Sequence, residues 1–417
     1  MDRALLQTLF ELAVERAQPS LAVSRHLPQK PKGRTIVIGA GKASAQMARA
    51  FELAWDGEIS GLVVTRYGYA EKCERIEIVE AAHPVPDAAG FEAAKRLKEI
   101  VSGLTADDLV VALISGGGSA LLPAPAEGLT LEDEQAINRA LLASGAPIGV
   151  MNLIRNQFST IKGGRLAALA APARVATLVV SDVPGDDPAL VASGPTISLA
   201  GTRADARKFA ELYRLELPEA AKRLLASEDN PAPRSDDPRF VGNSVVTIAS
   251  AALSLTAAAE EARKRGIAAA VLSDSIEGEA RDVALVHAAI AKEISQRNQP
   301  FEKPVVLLSG GETTVTLRGK GRGGRNGEFL LALAIALDGV EGVTALAGDT
   351  DGIDGSEDNA GAFVDGTSAR RMREAGVDPL AALANNDAYG AFEAIGDLFV
   401  TGPTGTNVND FRAILIR

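Results

Sequence analysis

The fold class of this chain is indicated by the stretch Thr35-Ile36-Val37-Ile38-Gly39-Ala40-Gly41-Lys42-Ala43-Ser44. Its first residues are β-branched and apolar, which is typical of a strand that is buried on both faces. Two glycines follow, and the apolar residues from 42 to 54 then recur with the period of a helix. A buried strand that passes through a short glycine loop into a helix predicts an α/β domain built on a parallel sheet.

The same alternation of apolar runs and helical patterns continues on both sides of this stretch. Residues 1–27 predict an amphipathic helix, because acidic residues interrupt their apolar pattern. Further strands are predicted at 62–65, 76–79, 109–114 and 175–180, and helices at 91–101, 131–142 and 152–169. Residues 227–240 contain three prolines, four acidic residues and no hydrophobic period, which predicts a linker.

A second α/β domain is predicted after this linker. Its strands at 245–249, 268–272 and 305–308 alternate with helices at 251–265 and 279–298. We therefore expect two domains, 1–236 and 237–417, each a mostly parallel sheet with flanking helices. The last strand of the second domain is expected to return toward the first.

The composition limits the classes of function. The 417 residues are 46% hydrophobic and carry a net charge of −11, so we expect a globular protein that binds neither nucleic acid nor an anionic membrane. The apolar run 329–337 is far shorter than the roughly 18 residues that span a bilayer, and residues 1–27 do not resemble a signal peptide. Cys73 is the only cysteine, which favours a reducing compartment, and we expect a cytoplasmic protein.

The loop at 39–44 resembles two phosphate-binding loops and matches neither. The third glycine of the dinucleotide fingerprint is replaced by Ser44, and Arg66 stands where an acidic residue would bind the ribose of NAD. NADP remains an alternative, because Arg66 could bind its 2′-phosphate. The spacer of a Walker loop is also missing. Gly39, Gly41, Lys42 and Ser44 are therefore candidates for binding an anion at a helix N-terminus, with a solvated Lys42 as the alternative.

Two predicted strands run into the same Ser-Gly-Gly sequence. One leads into Ser115-Gly116-Gly117-Gly118-Ser119 and the other into Ser309-Gly310-Gly311-Glu312-Thr313. Ligands bind beyond the carboxyl ends of strands in open α/β sheets, and glycine lets backbone N–H groups approach an anion closely. Each domain is therefore predicted to hold one phosphate-sized or carboxylate-sized nest, with a tight turn as the alternative for either run.

Carboxylates follow two other predicted strands. Asp182 comes directly after the strand at 175–180, where it could act as a general base or bind Mg²⁺. Asp186 and Asp187 follow it, and Asx turns would explain them equally well. The run 348–355 contains Asp351 and predicts either a Mg–nucleotide contact or a structural turn. A calcium loop is disfavoured, because it would need a glutamate where Ala360 stands.

A basic, glycine-rich run supplies cations in the second domain. Residues 318–327 hold four cations among five glycines. Arg325, flanked by Gly324 and Asn326 at the predicted start of a helix, is best placed to bind a phosphoryl group bidentately. A mobile, solvated loop is the alternative for Arg318 and Lys320.

The remaining polar residues narrow the chemistry. Histidine occurs at only three positions, which disfavours a histidine metal site or a Ser-His-Asp triad, although His83 could contact a substrate. Thr404 and Asn407, in the polar run 401–410, could orient hydroxyl groups or phosphate oxygens. Glycine nests, a lysine, an arginine loop and aspartates suit phosphoryl transfer, because positioning and charge neutralisation provide most of its catalysis.

Taken together, these motifs resemble the type II glycerate kinases, two-domain glycerate 2-kinases whose C-terminal part is called the MOFRL domain. The resemblance covers nearly the whole chain and rests on the runs 39–44, 115–122, 181–187, 193–196, 309–314, 323–328, 348–355 and 401–410. It implies a Rossmann-like first domain, a MOFRL-type α/β second domain and an active site in the cleft between them. It also implies that ATP and Mg²⁺ convert D-glycerate into 2-phosphoglycerate.

The resemblance leaves a second activity open, because some members carry the provisional name hydroxypyruvate reductase, an NAD(P)H-dependent enzyme. The incomplete dinucleotide fingerprint favours the kinase. For a kinase, the residues suggest that the nest at 116–119 and Lys42 bind the glycerate carboxylate and that Asp182 accepts the 2-hydroxyl proton. Arg325 and Mg²⁺ would neutralise the γ-phosphoryl group. D-glycerate and ATP are the expected partners. A homodimer is compatible with the sequence.

Overall fold

The computed structural model describes residues 2–227, 229 and 231–417, so Glu228 and Asn230 of the predicted linker lie outside the described residues. The first of two units comprises Pro19–Val183 and Asp187–Ile248. The second comprises Met1–Gln18, Pro184–Asp186 and Ala249–Arg417. The chain enters the second unit for the last time after Ile248, whereas the sequence pattern placed this boundary after residue 236.

The helices and strands have the following bounds. The helices are α1 (Asp2–Arg16), α2 (Pro19–Ser24), α3 (Ser44–Ala54), α4 (Ala88–Ile100), α5 (Gly118–Leu121), α6 (Leu131–Ala143), α7 (Ile148–Gln157), α8 (Arg165–Ala170), α9 (Arg203–Leu212), α10 (Glu219–Ala226), α11 (Ala251–Lys264), α12 (Ala280–Arg297), α13 (Arg325–Ala336), α14 (Ser368–Glu374), α15 (Pro379–Ala384) and α16 (Ala388–Glu393). The strands are β1 (Thr35–Ala40), β2 (Ser60–Arg66), β3 (Ile76–Ala81), β4 (Leu109–Ser115), β5 (Arg174–Val180), β6 (Ser244–Ala249), β7 (Ala268–Glu279), β8 (Val305–Thr314), β9 (Val343–Asp349), β10 (Gly361–Asp365), β11 (Leu398–Phe399) and β12 (Asp410–Ile416).

The sheet of the first unit has the strand order β3-β2-β1-β4-β5-β6. The pairs β2–β3, β1–β2, β1–β4 and β4–β5 are all parallel, as the sequence predicts. Every residue of β1 and β4 is buried, which explains why both strands read as unbroken apolar runs. The strand order reverses between β1 and β4, and this reversal is the point at which open α/β sheets bind ligands.

Three local predictions in and near the first unit need correction. The helix expected within 1–27 is divided into α1 and α2, because Pro19 begins a new helix. The helix expected at 152–169 is also two helices, α7 and α8. They are separated at Gly163 and Gly164, whose φ angles of 63° and 80° end a right-handed helix. The helices α9 and α10, before the predicted linker, were not predicted.

The sheet of the second unit has the order β11-β10-β9-β12-β8-β7 and is mixed. Only the pair β7–β8 is parallel among the registered pairs, whereas β8–β12, β9–β12, β9–β10 and β10–β11 are antiparallel. The expectation of a mostly parallel sheet is therefore wrong for this unit, although the α/β class is confirmed. The reason is β12, which enters the sheet between β8 and β9 and runs antiparallel to both.

The two faces of this second sheet bury different helices. Val306 and Leu308 of β8 pack with Leu9 of α1 and Leu255 of α11. The alternate residues of β8, Val305 and Leu307, pack on the other face with α12 and α13. The N-terminal helix is thus a component of the second unit, although the sequence pattern had placed it in the first domain. Strand β6, which the sequence pattern had placed in the second domain, lies at the edge of the first sheet. No helix in the described ranges is long and apolar enough to cross a membrane.

Asp108 joins the starts of β1 and β4. Its buried carboxylate accepts hydrogen bonds from Arg34 N at 2.7 Å, from Arg34 Nη2 at 3.0 Å and from Thr105 N at 2.8 Å. Hydrogen bonds from Arg34 and then from Thr105 lower the pKa of Asp108 well below its usual value, although burial opposes this shift. The charged carboxylate therefore stabilises the register of the two strands whose opposite ends form the ligand-binding edge.

We expect Asp108→Asn to lower the free energy of unfolding by about 2 kcal/mol at pH 7, because buried hydrogen bonds to a charge are lost. A carboxyl with a depressed pKa stabilises the fold above its unfolded pKa, and this stabilisation disappears as the pH falls through the folded pKa. The difference from wild type should therefore shrink below about pH 4. Urea unfolding at both pH values measures it, with the exposed Asp107→Asn as the matched control. An equal effect of both substitutions would contradict this account.

Candidate functional site

The candidate site of the first unit lies at the carboxyl ends of β1, β4 and β5. Lys42 follows β1, the glycine turn 116–118 follows β4, and Asp182 follows β5. Lys42 N donates to Gly116 O at 2.8 Å, so the loops after the two switch-point strands are joined by their backbones. Residues that are distant in sequence thus meet where the strand order reverses.

The glycines of the loop after β1 allow close packing against β4. A Cβ on Gly39 would lie 2.4 Å from Leu113 O, and one on Gly41 would lie 2.1 Å from Ser115 Oγ. Ser44 Oγ donates to Leu113 O at 2.9 Å and lies 3.0 Å from Ser115 Oγ, and both serines are buried. These four residues, which the sequence marks as candidates for binding, hold the loop against β4.

The glycine turn after β4 brings three ionisable side chains together. A Cβ on Gly116 would lie 1.7 Å from Asp182 Oδ2, so the Asp182 carboxylate rests directly against this glycine. A Cβ on Gly117, whose φ is 80°, would lie 3.1 Å from both His83 Nε2 and Lys42 Cγ. Burial, and then the charges of Lys42 and Arg66, lower the pKa of His83 and keep its imidazole neutral at pH 7. This turn therefore has a carboxylate, a cation and a neutral imidazole around it.

Ser119 completes this turn and contacts a second one. Its hydroxyl lies 2.6 Å from Ser193 Oγ, and Ser193 belongs to the turn 193–196 that follows the Asp182 segment. Gly118 packs between the two turns, because a Cβ there would lie 2.6 Å from Ala192 Cβ. The run 115–119, predicted as a nest, thus lies at the end of β4 as expected, where the chain turns into α5.

The second Ser-Gly-Gly run is not a loop at a strand end, and this prediction needs correction. Ser309, Gly310, Gly311, Glu312 and Thr313 all lie inside β8, which continues to Thr314. Gly311 pairs with Ile276 beside an irregularity in β7, and a Cβ there would lie 2.2 Å from Ile276 O. Ser309 Oγ lies 3.0 Å from His287 Nε2 and is buried. The glycines therefore serve strand packing, and only Glu312 is exposed.

Arg325, at the first position of α13, is the centre of a charge cluster in the second unit. Its Nη1 donates to Glu312 Oε1 at 2.5 Å, and its Nη2 donates to Asp349 Oδ2 at 2.7 Å and lies 3.3 Å from Asp410 Oδ1. Burial opposes the charge of Arg325, yet the carboxylates of Asp410, Asp349 and Glu312 raise its pKa. Three carboxylates thus hold the Arg325 side chain, which remains 25% exposed.

Asp410 and Arg412 hold this cluster in place and were missed by the sequence reasoning. Asp410 Oδ1 accepts from Asn326 Nδ2 at 2.9 Å, and Asp410 Oδ2 accepts from Arg412 Nη2 at 2.5 Å and from Thr313 N at 3.2 Å. Arg412 is only 1% exposed. Two charged residues in the otherwise apolar strand β12 were the available signal, because buried charges in a strand must be paired.

The N-terminus of α13 already has an anionic partner. Asp354 Oδ1 accepts from Asn326 N at 2.9 Å, and Asp354 Oδ2 accepts from Gly327 N at 2.7 Å. A Cβ on Gly324 would lie 2.4 Å from Asp354 Oδ1, so glycine is required at this position. Burial raises the pKa of Asp354 to about 6, although the two N–H groups oppose this shift. The helix dipole is thus neutralised by a protein carboxylate, and the Arg325 side chain is the remaining cation at this helix end.

The aspartate loop after β9 packs against the polar run near the C-terminus. Thr404 Oγ1 donates to Thr350 O at 2.5 Å, and Asn407 Nδ2 donates to Asp351 Oδ2 at 3.3 Å. Gly352 packs so closely that a Cβ would lie 2.1 Å from Gly402 O. Thr404 and Asn407 therefore shape the loop that presents Asp351, which is half-buried.

The described residues contain no cluster of three or more histidine, cysteine or acidic side chains that could hold a metal ion by itself. Asp182 and Asp351, the predicted metal ligands, belong to different units. Burial raises the pKa of Asp349, and the nearby charges of Asp351 and Asp410 raise it further, because several acidic side chains lie close together here. One or two carboxylates fit Mg²⁺ that arrives on a nucleotide, because Mg²⁺ then keeps water and phosphate ligands.

The backbone of the basic loop before α13 is held by hydrogen bonds, whereas a mobile, solvated loop was the alternative for Arg318 and Lys320. Arg318 N and Gly319 N donate to Asn386 Oδ1 at 2.7 Å and 3.0 Å, and Lys320 N donates to Asn385 Oδ1 at 3.2 Å. The side chains of Arg318 and Lys320 are exposed. Their charges are therefore displayed on a loop whose backbone path is set by the turn between α15 and α16.

Comparisons with known proteins cover nearly the whole chain. Residues 5–226 match the family described as a domain of unknown function, DUF4147, and residues 305–410 match the MOFRL family. An Agrobacterium vitis protein with the provisional name hydroxypyruvate reductase is 52% identical over 417 residues, which are 99% of this chain and 94% of that protein.

Two further comparisons concern kinases. The D-glycerate 2-kinase of Thermotoga maritima is 41% identical over 410 residues, which are 98% of this chain and 97% of that protein. The crystal structure of a glycerate kinase from Thermotoga maritima matches with a TM-score of 0.91 at 39% identity and covers 99% of both chains. Both matches extend across the two units described above.

Proposed function

Because this chain belongs to the glycerate kinase family that combines a DUF4147 domain with a MOFRL domain, we propose that it transfers the γ-phosphoryl group of ATP to the 2-hydroxyl of D-glycerate. The observation that carries this proposal is the turn after β4. This turn is a glycine nest at the switch point of a parallel sheet, and a carboxylate and a lysine lie against it. A small hydroxy acid needs this combination, since its carboxylate requires a cation and its hydroxyl requires a base.

The first unit binds the acid and prepares the hydroxyl group. Lys42 supplies the positive charge and the backbone at 116–119 supplies N–H groups for the glycerate carboxylate. Asp182, held against Gly116, accepts the proton of the 2-hydroxyl as the oxygen attacks phosphorus. His83 is neutral and lies beside Lys42 at Gly117, so it can exchange a hydrogen bond with the substrate without adding charge.

The second unit neutralises the phosphoryl group. Arg325 is fixed by Asp349 and Asp410, while its contact with the exposed Glu312 can be exchanged for phosphoryl oxygens. Asp351, on the half-buried loop after β9, would hold Mg²⁺. When bound, Mg²⁺ supplies neutralisation and orientation of the β- and γ-phosphates. The kinase relatives support ATP as the phosphoryl donor. The assignment of Arg325 to its γ-phosphoryl group is part of this proposal.

The packing of the loop after β1 supports a kinase over a reductase. Gly39 and Gly41 approach the backbone of β4, and the buried Ser44 occupies the position of the third fingerprint glycine. These contacts explain the glycines without a pyrophosphate. The reductase name of the Agrobacterium vitis relative is provisional, whereas the kinase relatives cover the same length of chain.

The proposal predicts the product as well as the activity. Incubation with ATP, Mg²⁺ and D-glycerate should give 2-phosphoglycerate, which ³¹P NMR distinguishes from 3-phosphoglycerate. Enolase, which dehydrates the 2-isomer directly, provides an independent readout. Accumulation of 3-phosphoglycerate would contradict transfer to the 2-hydroxyl.

We expect Gly116→Ala to lower kcat/KM for D-glycerate by about 10- to 100-fold, because small displacements of catalytic groups are costly. The new Cβ would lie 1.7 Å from Asp182 Oδ2, so the carboxylate must move. Steady-state rates of ADP release measure the effect. The matched control is Gly149→Ala in α7, where a Cβ meets no atom within 4 Å among the described residues. Wild-type rates in a folded Gly116→Ala protein would contradict the role of Asp182.

A further inference from the structure

Arg155, in the last turn of α7, is held by polar side chains that reach the nest of the first unit. Its Nε donates to Asn138 Oδ1 at 2.9 Å, and its Nη1 donates to Asn152 Oδ1 at 2.5 Å. Nη1 also lies 3.5 Å from Ser193 Oγ, which lies 2.6 Å from Ser119 Oγ. The guanidinium is therefore fixed one side chain away from the last residue of the nest.

The positive charge of Arg155 has no acidic partner within the described ranges. It forms no ion pair there, and its Nη2 makes no hydrogen bond. Glu134, which acts on it electrostatically, already accepts from Lys162 Nζ at 2.7 Å and from Ala124 N at 3.0 Å. Burial lowers the pKa of Arg155 to about 10, so the side chain is charged at neutral pH. A partly buried cation of this kind is costly unless an anion joins it.

The turn that carries Ser193 has a strained backbone. Ala192 and Ser193 have φ angles of 54° and 61°, a region that residues other than glycine rarely adopt. Gly163 N donates to Ser193 O at 3.1 Å, and Gly164 N donates to Gly194 O at 2.8 Å. The buried Ser193 Oγ donates to Asn152 Oδ1 at 2.9 Å. Strain of this kind clusters at functional sites, and here it holds a hydroxyl between the nest and Arg155.

We propose that Arg155 determines substrate specificity by binding the carboxylate of the hydroxy acid through its Nη2 N–H groups. This inference rests on the proposed function, because it adds a residue to the same substrate site. Lys42 is a point charge on a flexible chain, whereas a fixed planar guanidinium can select a carboxylate over a neutral group of the same shape. Arg155 thus recognises the group that distinguishes D-glycerate from its amide, glyceramide.

The test compares Arg155→Gln and Arg155→Lys with wild type. Loss of a charged contact should raise the KM for D-glycerate about 10- to 100-fold in Arg155→Gln and leave the KM for ATP unchanged. Arg155→Lys keeps the charge and should show a smaller rise in the KM for D-glycerate. If Arg155→Gln does not fold, Arg155→Lys is compared with wild type instead. The matched control is Arg139→Gln, because Arg139 is an exposed neighbour of Asn138 on α6. This control should retain the wild-type KM.

Selectivity and direct binding separate recognition from a structural role. The ratio of kcat/KM for D-glycerate to that for D-glyceramide should fall about tenfold or more in Arg155→Gln. D-glycerate without nucleotide should raise the Tm of the wild type but not of Arg155→Gln, while ATP should raise the Tm of both.

Four results would overturn the inference: an unchanged KM for D-glycerate, equal losses with both substrates, a rise in the KM for ATP alone, or a wild-type Tm that D-glycerate does not raise. The proposed function fails separately if the wild type releases no ADP with D-glycerate. The binding measurement would still decide the role of Arg155 in that case, because it does not depend on turnover.

Discussion

Arg325→Gln is expected to lower kcat/KM for D-glycerate by about 10³-fold or more, because arginines that neutralise a transferring phosphoryl group contribute 10³- to 10⁵-fold in related reactions. In the wild type, Asp349 and Asp410 fix the guanidinium, and only the contact with the exposed Glu312 must be exchanged for phosphoryl oxygens. Glutamine keeps part of the volume and loses both the charge and the planar fork. Initial rates of ADP release at saturating ATP and Mg²⁺ measure the loss.

Stability must be measured alongside this loss of activity. Removing Arg325 leaves the buried Asp349 and Asp410 without one of their cations, which can cost about 3 kcal/mol. Arg325→Lys keeps a charge and separates the loss of the fork from the loss of the fold. Arg318→Gln, in the same basic loop but with an exposed side chain, is the control and should be active. A folded Arg325→Gln protein with kcat/KM within threefold of wild type would remove Arg325 from the mechanism.

Asp182→Asn is expected to lower kcat by about 10²- to 10⁴-fold with little change in the KM for D-glycerate, because general base catalysis contributes that much. The amide has the size of the carboxylate and still fits against Gly116, yet it cannot accept the 2-hydroxyl proton. Single-turnover rates and steady-state KM values measure the two effects separately.

The control for this substitution is Asp187→Asn, five residues further along the chain. Asp187 is exposed, and its Oδ1 accepts from Ala189 N at 3.0 Å, a contact that the asparagine oxygen can keep. We expect wild-type kcat from this variant. If Asp182→Asn instead raised only the KM and left kcat unchanged, Asp182 would be a binding group and the base would have to be sought elsewhere in the site.

The fold of the first unit could be predicted because its determinants are local. The run 35–44 contains strand, glycine loop and helix in succession, and the parallel sheet follows from repeating this unit. The mixed sheet of the second unit could not be predicted in this way. Its order depends on β12, which pairs with β8 about 100 residues earlier, and no local pattern specifies such a partner.

In the candidate site, too, residues in locally recognisable motifs could be predicted, whereas partners from distant parts of the chain could not. Arg325 and Asp182 could be selected as candidates, because each stands at the end of a readable element. Asp410 and Arg412 fix Arg325 from a distant strand, and Ser193 links Arg155 to the nest only in the folded chain. The prediction of a second nest in 309–313 was wrong, because the glycines serve the close packing of Gly311 against Ile276 inside a long strand.

A single assay distinguishes a glycerate kinase from a hydroxypyruvate reductase. The purified protein is supplied with ATP, Mg²⁺ and NADPH together, and either D-glycerate or hydroxypyruvate is added while ADP release and NADPH loss are followed in the same sample. A glycerate kinase releases ADP in proportion to D-glycerate and leaves NADPH intact with either acid. Oxidation of NADPH by hydroxypyruvate, with no ADP released on addition of D-glycerate, would contradict the account.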